Sequence, residues 1–178
     1  SVAGMPDIKQ GPMECVPTAT ANSLRYLYDK GGNPPPADSD GFNRDLKNKL
    51  GAAMGTTPSH GTDISATDPA ANRFLQGKKD ADLPAPLRNA KVTTARANPS
   101  VENICGAIDR GEDVEIVITA YNPDGTKTQT SHMVTVVGYV KHADGTVELK
   151  IHDPNDRQPG ENPGDTAKPP RENSIFIK

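Results

Sequence analysis

Cysteine, histidine and aspartate side chains stand at three points of this sequence where they can do nucleophilic chemistry together. The first point is the segment from Gln10 to Cys15, where the cysteine begins a stretch with helical spacing of its apolar residues. The positive end of a helix and the free N–H groups of its first turn favour the thiolate, which is the nucleophilic form of cysteine. The Gln10 side-chain amide and the Cys15 backbone N–H can both donate to an oxyanion that forms beside the sulfur.

The second and third points lie in the last third of the chain, where the pattern is that of β-strands. His132 begins an apolar run, and its imidazole can act as general base to a thiol on a helix packed against the sheet. Asp153 ends the strand that hairpins back from the His132 strand. Adjacent antiparallel strands can bring its carboxylate to the second ring nitrogen of His132, fixing the tautomer and stabilising the imidazolium. The order Gln, Cys, His, Asp fits nucleophilic acyl chemistry.

The elements that must position these side chains follow from the apolar periodicity. Helical spacing predicts helices over residues 15–30, 43–54 and 70–78, and a fourth that Asn98 caps and Gly111 ends. After Gly111 the period changes to two, which predicts strands over residues 114–118, 132–140, 146–151 and 174–177. Segregated helices and antiparallel strands are typical of an α+β fold. We expect one domain over residues 1–178, with a helical half at about 1–111 and a sheet half at about 112–178.

Composition excludes several classes of protein. The 178 residues include 20 Lys and Arg against 23 Asp and Glu, a net charge of −3, and no run of five basic residues. This balance predicts binding neither to nucleic acid nor to an anionic membrane. No apolar run is long enough for a transmembrane helix. The 4 His and 2 Cys show no close pairing of the kind that zinc sites have, so we expect no metal and no cofactor.

These motifs resemble those of the papain-like cysteine peptidase superfamily. The strand from His132 to Tyr139 is similar to the segment around the catalytic His of papain-type enzymes. The segment from Gln10 to Leu27, together with the Asp153-Pro154 pair, more closely resembles bacterial peptidases related to the bacteriocin-leader-processing (double-glycine) domains.

The resemblance covers about the first 30 and the last 65 residues, and the chain departs from it at Val16 and in lacking the Gly-Trp signature. It implies a papain-like fold in which the helical half carries the Cys and packs on the sheet that carries His and Asp. It further implies that Cys15 is the nucleophile, His132 the base, Asp153 the orienting residue and Gln10 the oxyanion donor.

The expected function is hydrolysis of a peptide or isopeptide bond in a peptide or protein substrate, through a thioester. Three alternatives stay open. The same triad also runs deamidation and acyl transfer, and the fold can serve as a non-catalytic module that binds a peptide or a partner. A disulfide between Cys15 and Cys105 would make the protein inert.

The sequence also supports expectations about oligomeric state, localisation, two histidines and two loops. We expect a monomer and, from the Gly, Pro, Asn, Asp and Thr content and a first residue that is not Met, an exported bacterial protein that is secreted or periplasmic. We also expect His142 and His152 to lie at the surface, and the loops over residues 31–41 and 55–97 to set substrate choice.

Overall fold

The computed structural model describes residues 2–77, 87, 99–121, 124–156, 160–167 and 170–177. These residues form four helices followed by four strands: α1 Cys15–Lys30, α2 Ser39–Met54, α3 Ile64–Gly77, α4 Val101–Asp109, β1 Val114–Tyr121, β2 Lys127–Lys141, β3 Val147–His152 and β4 Asn173–Ile177. The strands make one antiparallel sheet in the order β1-β2-β3-β4. The predicted α+β fold is confirmed.

Helices α2, α3 and α4 differ from the predicted helices in where they begin or in which residue caps them. Helix α2 begins four residues earlier than predicted because the Asp38 side chain accepts a hydrogen bond from the Gly41 N–H and so caps the first turn. Helix α3 begins at Ile64, six residues earlier than predicted, and contains Pro69 at its sixth position. Helix α4 is capped by Ser100, whereas the predicted cap, Asn98, lies outside the described residues.

The register of the β2–β3 pair brings the predicted His and Asp together. Thr135 pairs with His152, so the next residue, Asp153, comes level with Val134 and two residues from His132. Side chains alternate between the faces of a strand, and residues two apart share a face. The Asp153 and His132 side chains therefore point to the same side of the sheet.

Residues 2–10 make a turn at residues 3–4 and then run along the sheet and the segment that follows β3. The Val2 N–H donates to the Val137 carbonyl, and the Gln10 N–H donates to the Pro154 carbonyl at 2.8 Å. Between them, the Ile8 N–H donates to the side-chain oxygen of Asn22 on α1, also at 2.8 Å. Because its backbone groups pair with distant segments, this stretch has a fixed path without belonging to a regular element.

Two apolar clusters form the core, one among the helices and one on the sheet. Strand β2 contributes to both, since Met133 belongs to the helical cluster and Val134 to the sheet cluster. Ile104 and Ile108 of α4 pack in the sheet cluster. The middle of β2, residues 133–138, which follows His132, is thus buried.

One prediction about burial is wrong. His152, expected at the surface, is 2% exposed, and its Nδ1 lies 2.9 Å from the Pro6 carbonyl oxygen. The cause is the N-terminal segment, which covers the end of β3 and supplies the acceptor. His142, by contrast, is exposed as predicted.

Candidate active site

Cys15 is the first residue of α1 and is half-buried. The preceding residue, Glu14, stands at the N-cap position but makes no side-chain cap. Its carboxylate turns away instead, accepting from the Gly11 N–H at 2.8 Å and from the Lys47 ammonium on α2. The N–H groups at the start of α1 are therefore not capped by a carboxylate, and the Val16 N–H hydrogen-bonds to the Cys15 sulfur.

The chain enters α1 through a strained residue. Met13, two positions before the nucleophile candidate, has φ 60°, a left-handed conformation that costs a residue with a Cβ about 1–2 kcal/mol. Gly61, in the loop after α2, lies against it: a Cβ built there would stand 3.3 Å from Met13 Cε. Strain of this kind is typical of functional sites held by their surroundings. This contact places residues 57–61 beside the segment that leads into Cys15. Residues 57–61 belong to a loop that we expect to influence substrate choice.

His132 connects the candidate nucleophile to the candidate orienting residue. Its Nε2 lies 2.7 Å from Asp153 Oδ1, and the same carboxylate oxygen accepts from the Asn155 backbone N–H at 2.8 Å. Its ring also hydrogen-bonds with the Cys15 thiol. Since Nε2 is engaged by Asp153, Nδ1 is the nitrogen left for sulfur. The geometry is that of a Cys–His–Asp chain.

The surroundings shift the pKa values of all three groups toward their charged forms. Burial disfavours the imidazolium, but hydrogen bonds to Asp153 and Cys15 outweigh it and raise the pKa of His132 to about 9. Burial also disfavours the charged form of Cys15 and so raises the pKa of its thiol. The His132 ring and the N–H groups of Met133 and Val16 lower this pKa by more, so that it lies below its usual value. The pair therefore favours thiolate and imidazolium over two neutral groups.

Gln10 is connected to the site by a main-chain hydrogen bond to the residue after Asp153. It is 9% exposed, and its backbone pairs with Pro154, the residue after Asp153. Its side-chain oxygen is buried and accepts no hydrogen bond from the described residues.

Both cysteines are free, which contradicts the alternative of a Cys15–Cys105 disulfide. Cys105 lies buried on α4, and burial raises the pKa of its thiol. The two thiols therefore differ in the direction of their pKa shifts, and only Cys15 has the environment of a nucleophile.

Several residues around the site stand outside any local sequence pattern that could have indicated them. Asp7 and Lys9 are fully buried, and Lys9 contacts the Asp153 carbonyl, but they stand in a segment without periodicity. The Glu14–Lys47 ion pair joins α1 to α2 across 33 positions of the chain. Such long-range pairs leave no local pattern.

The described residues contain neither a candidate metal cluster nor a helix suited to cross a membrane. They include no group of three or more His, Cys, Asp or Glu side chains arranged to hold a metal ion. Within the same part of the chain, no helix combines the length and the apolar character that crossing a membrane requires.

Comparison with known proteins agrees with the geometry. Residues 4–169 match the sequence model of the Peptidase_C39 like family, and this range includes Cys15, His132 and Asp153. Neither curated proteins nor solved structures gave a match.

Proposed function

We propose that this chain, which belongs to the Peptidase_C39 like family, is a cysteine peptidase that cleaves a peptide or isopeptide bond through a thioester. The observation that carries the proposal is the unbroken chain of contacts from the Cys15 thiol through His132 to Asp153. A nucleophile, a base within hydrogen-bond reach and a third group that orients the base form the usual arrangement for acyl transfer.

In the acylation step the Cys15 thiolate attacks the carbonyl carbon of the scissile bond. The Gln10 side-chain amide and the Cys15 backbone N–H are the proposed donors to the oxyanion. Preorganised donors of this kind are worth about 10²–10³ in kcat each. His132, already protonated, gives its proton to the leaving amine as the carbon–nitrogen bond breaks, and a thioester remains on Cys15.

In the deacylation step His132, now neutral, takes a proton from water, and the hydroxide attacks the thioester carbonyl. The carbon–sulfur bond breaks, the product leaves as a carboxylic acid, and Cys15 and His132 return to the thiolate–imidazolium pair. Asp153 accepts from Nε2 throughout, which keeps Nδ1 directed at sulfur and stabilises the imidazolium.

The first test measures cysteine alkylation and cleavage of a peptide library by mass spectrometry on the same protein. We expect iodoacetamide to modify Cys15 rapidly at pH values where ordinary thiols, with a pKa of about 8.5, react slowly. We expect Cys105 to stay unmodified, because it is buried and its pKa is raised.

Matched serine variants of the two cysteines separate catalysis from folding. Cys15→Ser is expected to fold and to lose cleavage by about 10³-fold or more, whereas Cys105→Ser is expected to keep it. Cleavage that survives in Cys15→Ser would reject the proposal. A Cys15 that reacts like an ordinary thiol would favour the peptide- or partner-binding module instead.

A further inference from the structure

We propose that Lys9 is a positioning residue, whose buried ammonium holds the Asp153 main chain so that the Asp153 carboxylate stays directed at His132. This inference rests on the proposed function, because it assigns Lys9 a role through Asp153 rather than on the substrate. Lys9 Nζ lies 3.3 Å from the Asp153 carbonyl oxygen, across 144 positions of the chain.

The Lys9 ammonium is buried at a cost in free energy that its stabilising contacts alone do not explain. Its side chain is fully buried, as is that of its ion-pair partner Asp7, whose Oδ1 lies 2.7 Å from Nζ. Taking two charges out of water costs several kcal/mol per ion, and well-packed apolar residues often serve stability as well or better. An ammonium at this place therefore points to something that an apolar side chain cannot do, namely donating to a carbonyl.

Hydrogen bonds hold both the main chain of Lys9 and the carboxylate of its partner Asp7. The Lys9 N–H donates to the Asp165 carbonyl at 2.9 Å, and the Lys9 carbonyl accepts from the Gly164 N–H at 2.7 Å. Asp7 is held equally firmly, since its Oδ2 accepts from the Arg171 N–H at 2.9 Å. Nζ is thus a donor on a rigid support, anchored to the segment that follows β3.

Asp153 is held both through its carbonyl oxygen and through its carboxylate. Its carbonyl oxygen accepts from the Asp156 N–H at 3.0 Å and from Lys9 Nζ. Its carboxylate accepts from His132 and from the Asn155 N–H. Other contacts, from the Gln10 N–H to the Pro154 carbonyl and from the Arg171 guanidinium to the Asp156 carbonyl, hold the rest of the turn. Without the ammonium, the Asp153 carbonyl would keep only the Asp156 N–H among the described donors, and the carboxylate would be held less firmly in its direction toward His132.

The charges around this point reinforce the role. Asp7 and the Asp153 carbonyl face the Lys9 ammonium, while the His132 ring and Lys9 supply positive charge to the Asp153 carboxylate. Burial raises the pKa of Asp153, but its hydrogen bonds with His132 and Asn155 and the Lys9 charge lower it below the usual range. The Arg171 guanidinium also contributes positive charge near Asp7.

The test uses a double variant, Asp7→Asn/Lys9→Met, which removes the ammonium without stranding a buried carboxylate. The measured quantity is the pH midpoint of Cys15 alkylation by iodoacetamide. If Asp153 is less well directed, His132 is a weaker base and the thiolate forms at higher pH, so we expect the midpoint to rise by about one pH unit.

Arg25→Met is the matched control. Arg25 is also a nearly buried cation, with Nε 3.0 Å from Asp29 and Nη1 3.0 Å from Asn43, but none of these contacts involves Asp153. We expect this variant to lose stability and to keep the wild-type midpoint. A folded double variant whose midpoint equals that of the wild type would overturn the role of Lys9.

A second measurement on the wild-type protein keeps the inference testable if the double variant does not fold. The Lys9 ammonium nitrogen is followed by NMR while the active site is titrated. We expect its chemical shift to change with the His132–Asp153 titration, and a shift that stays constant rejects the inference. Failure of the proposed function looks different, because a wild-type Cys15 would then titrate as an ordinary thiol.

Discussion

At the scale of residues, the pKa shifts of Cys15 and His132 favour a proton on the His132 ring before any substrate binds. The hydrogen bonds to Asp153 and Cys15 raise the pKa of His132 to about 9 against the opposing effect of burial. The pKa of the Cys15 thiol is lowered at the same time. The group that we propose as proton donor to the leaving amine therefore stays protonated to a higher pH than an ordinary histidine would.

This pair predicts that two activities of Cys15 separate at alkaline pH. As the pH rises through about 9, His132 loses its proton and with it the ability to protonate a leaving amine, so peptide turnover falls. Alkylation of Cys15 needs only the thiolate and continues to rise or stays level. As the pH falls through the lowered pKa of Cys15, both activities decline together.

The measurement compares kcat/KM for a cleaved peptide with the alkylation rate over the same pH series. Alkylation of denatured protein at each pH supplies the control for the intrinsic reactivity of a thiol. Turnover that already declines near pH 6.5, the ordinary pKa of histidine, would show that Asp153 and Cys15 do not raise the pKa of His132.

At the scale of elements, the sequence predicts those parts of the site that lie on periodic segments. The start of α1 at Cys15 follows from the helical spacing after it and from Pro17, which is tolerated near the first turn. His132 and Asp153 meet because a hairpin sets the register between their strands. These residues were predicted from local patterns, and the structure brings them into contact.

Other parts of the site could not be predicted, because distant contacts determine them. The N-terminal segment has no periodicity, and its path depends on hydrogen bonds to Asn22, Pro154 and Asp165. The burial of His152 follows from that path, which is why its predicted exposure was wrong. The left-handed conformation of Met13 has no signal either, since such conformations are usually marked by glycine or asparagine.

Two glycines in the segment that follows β3 should differ in how much an alanine destabilises the protein. Gly160 and Gly164 both have positive φ, 92° and 93°, so alanine is strained at either position. A Cβ at Gly160 meets nothing within 4 Å, whereas one at Gly164 would stand 2.7 Å from Arg44 Cβ and 2.9 Å from Arg44 Cα on α2. A helix backbone cannot give way as a flexible side chain can.

We therefore expect Gly164→Ala to reduce the free energy of unfolding by about 1–3 kcal/mol more than Gly160→Ala does. Denaturant unfolding of both variants measures the difference, with Gly160→Ala as the control for backbone strain alone. Because the Gly164 N–H donates to the Lys9 carbonyl, Gly164→Ala should also slow Cys15 alkylation near neutral pH. Equal destabilisation by the two substitutions would mean that the segment does not pack tightly on α2.

At the scale of the whole molecule, the contact between Cys15 and His132 needs the helical and the sheet cluster to stay in place together. Cys15 starts a helix of the first cluster, and His132 lies on the strand whose next two residues, Met133 and Val134, belong one to each cluster. Tyr26 of α1 packs in the sheet cluster, so the helix itself connects the two. Neighbouring residues of one strand cannot leave their clusters independently.

This connection predicts a single cooperative unfolding transition, for which Cys105 is a built-in probe. Cys105 is 3% exposed on α4, beside Ile104 of the sheet cluster, and becomes accessible to alkylation only when that region opens. In a Cys15→Ser background, so that one thiol remains, Cys105 labelling and the loss of helical circular dichroism should follow the same denaturant curve. Met133→Ala should move both curves to lower denaturant by the same amount, because a buried methionine truncated to alanine costs about 2–5 kcal/mol. If Cys105 instead becomes reactive while the helical signal persists, the sheet side opens by itself, and β2 does not couple the two clusters that hold Cys15 against His132.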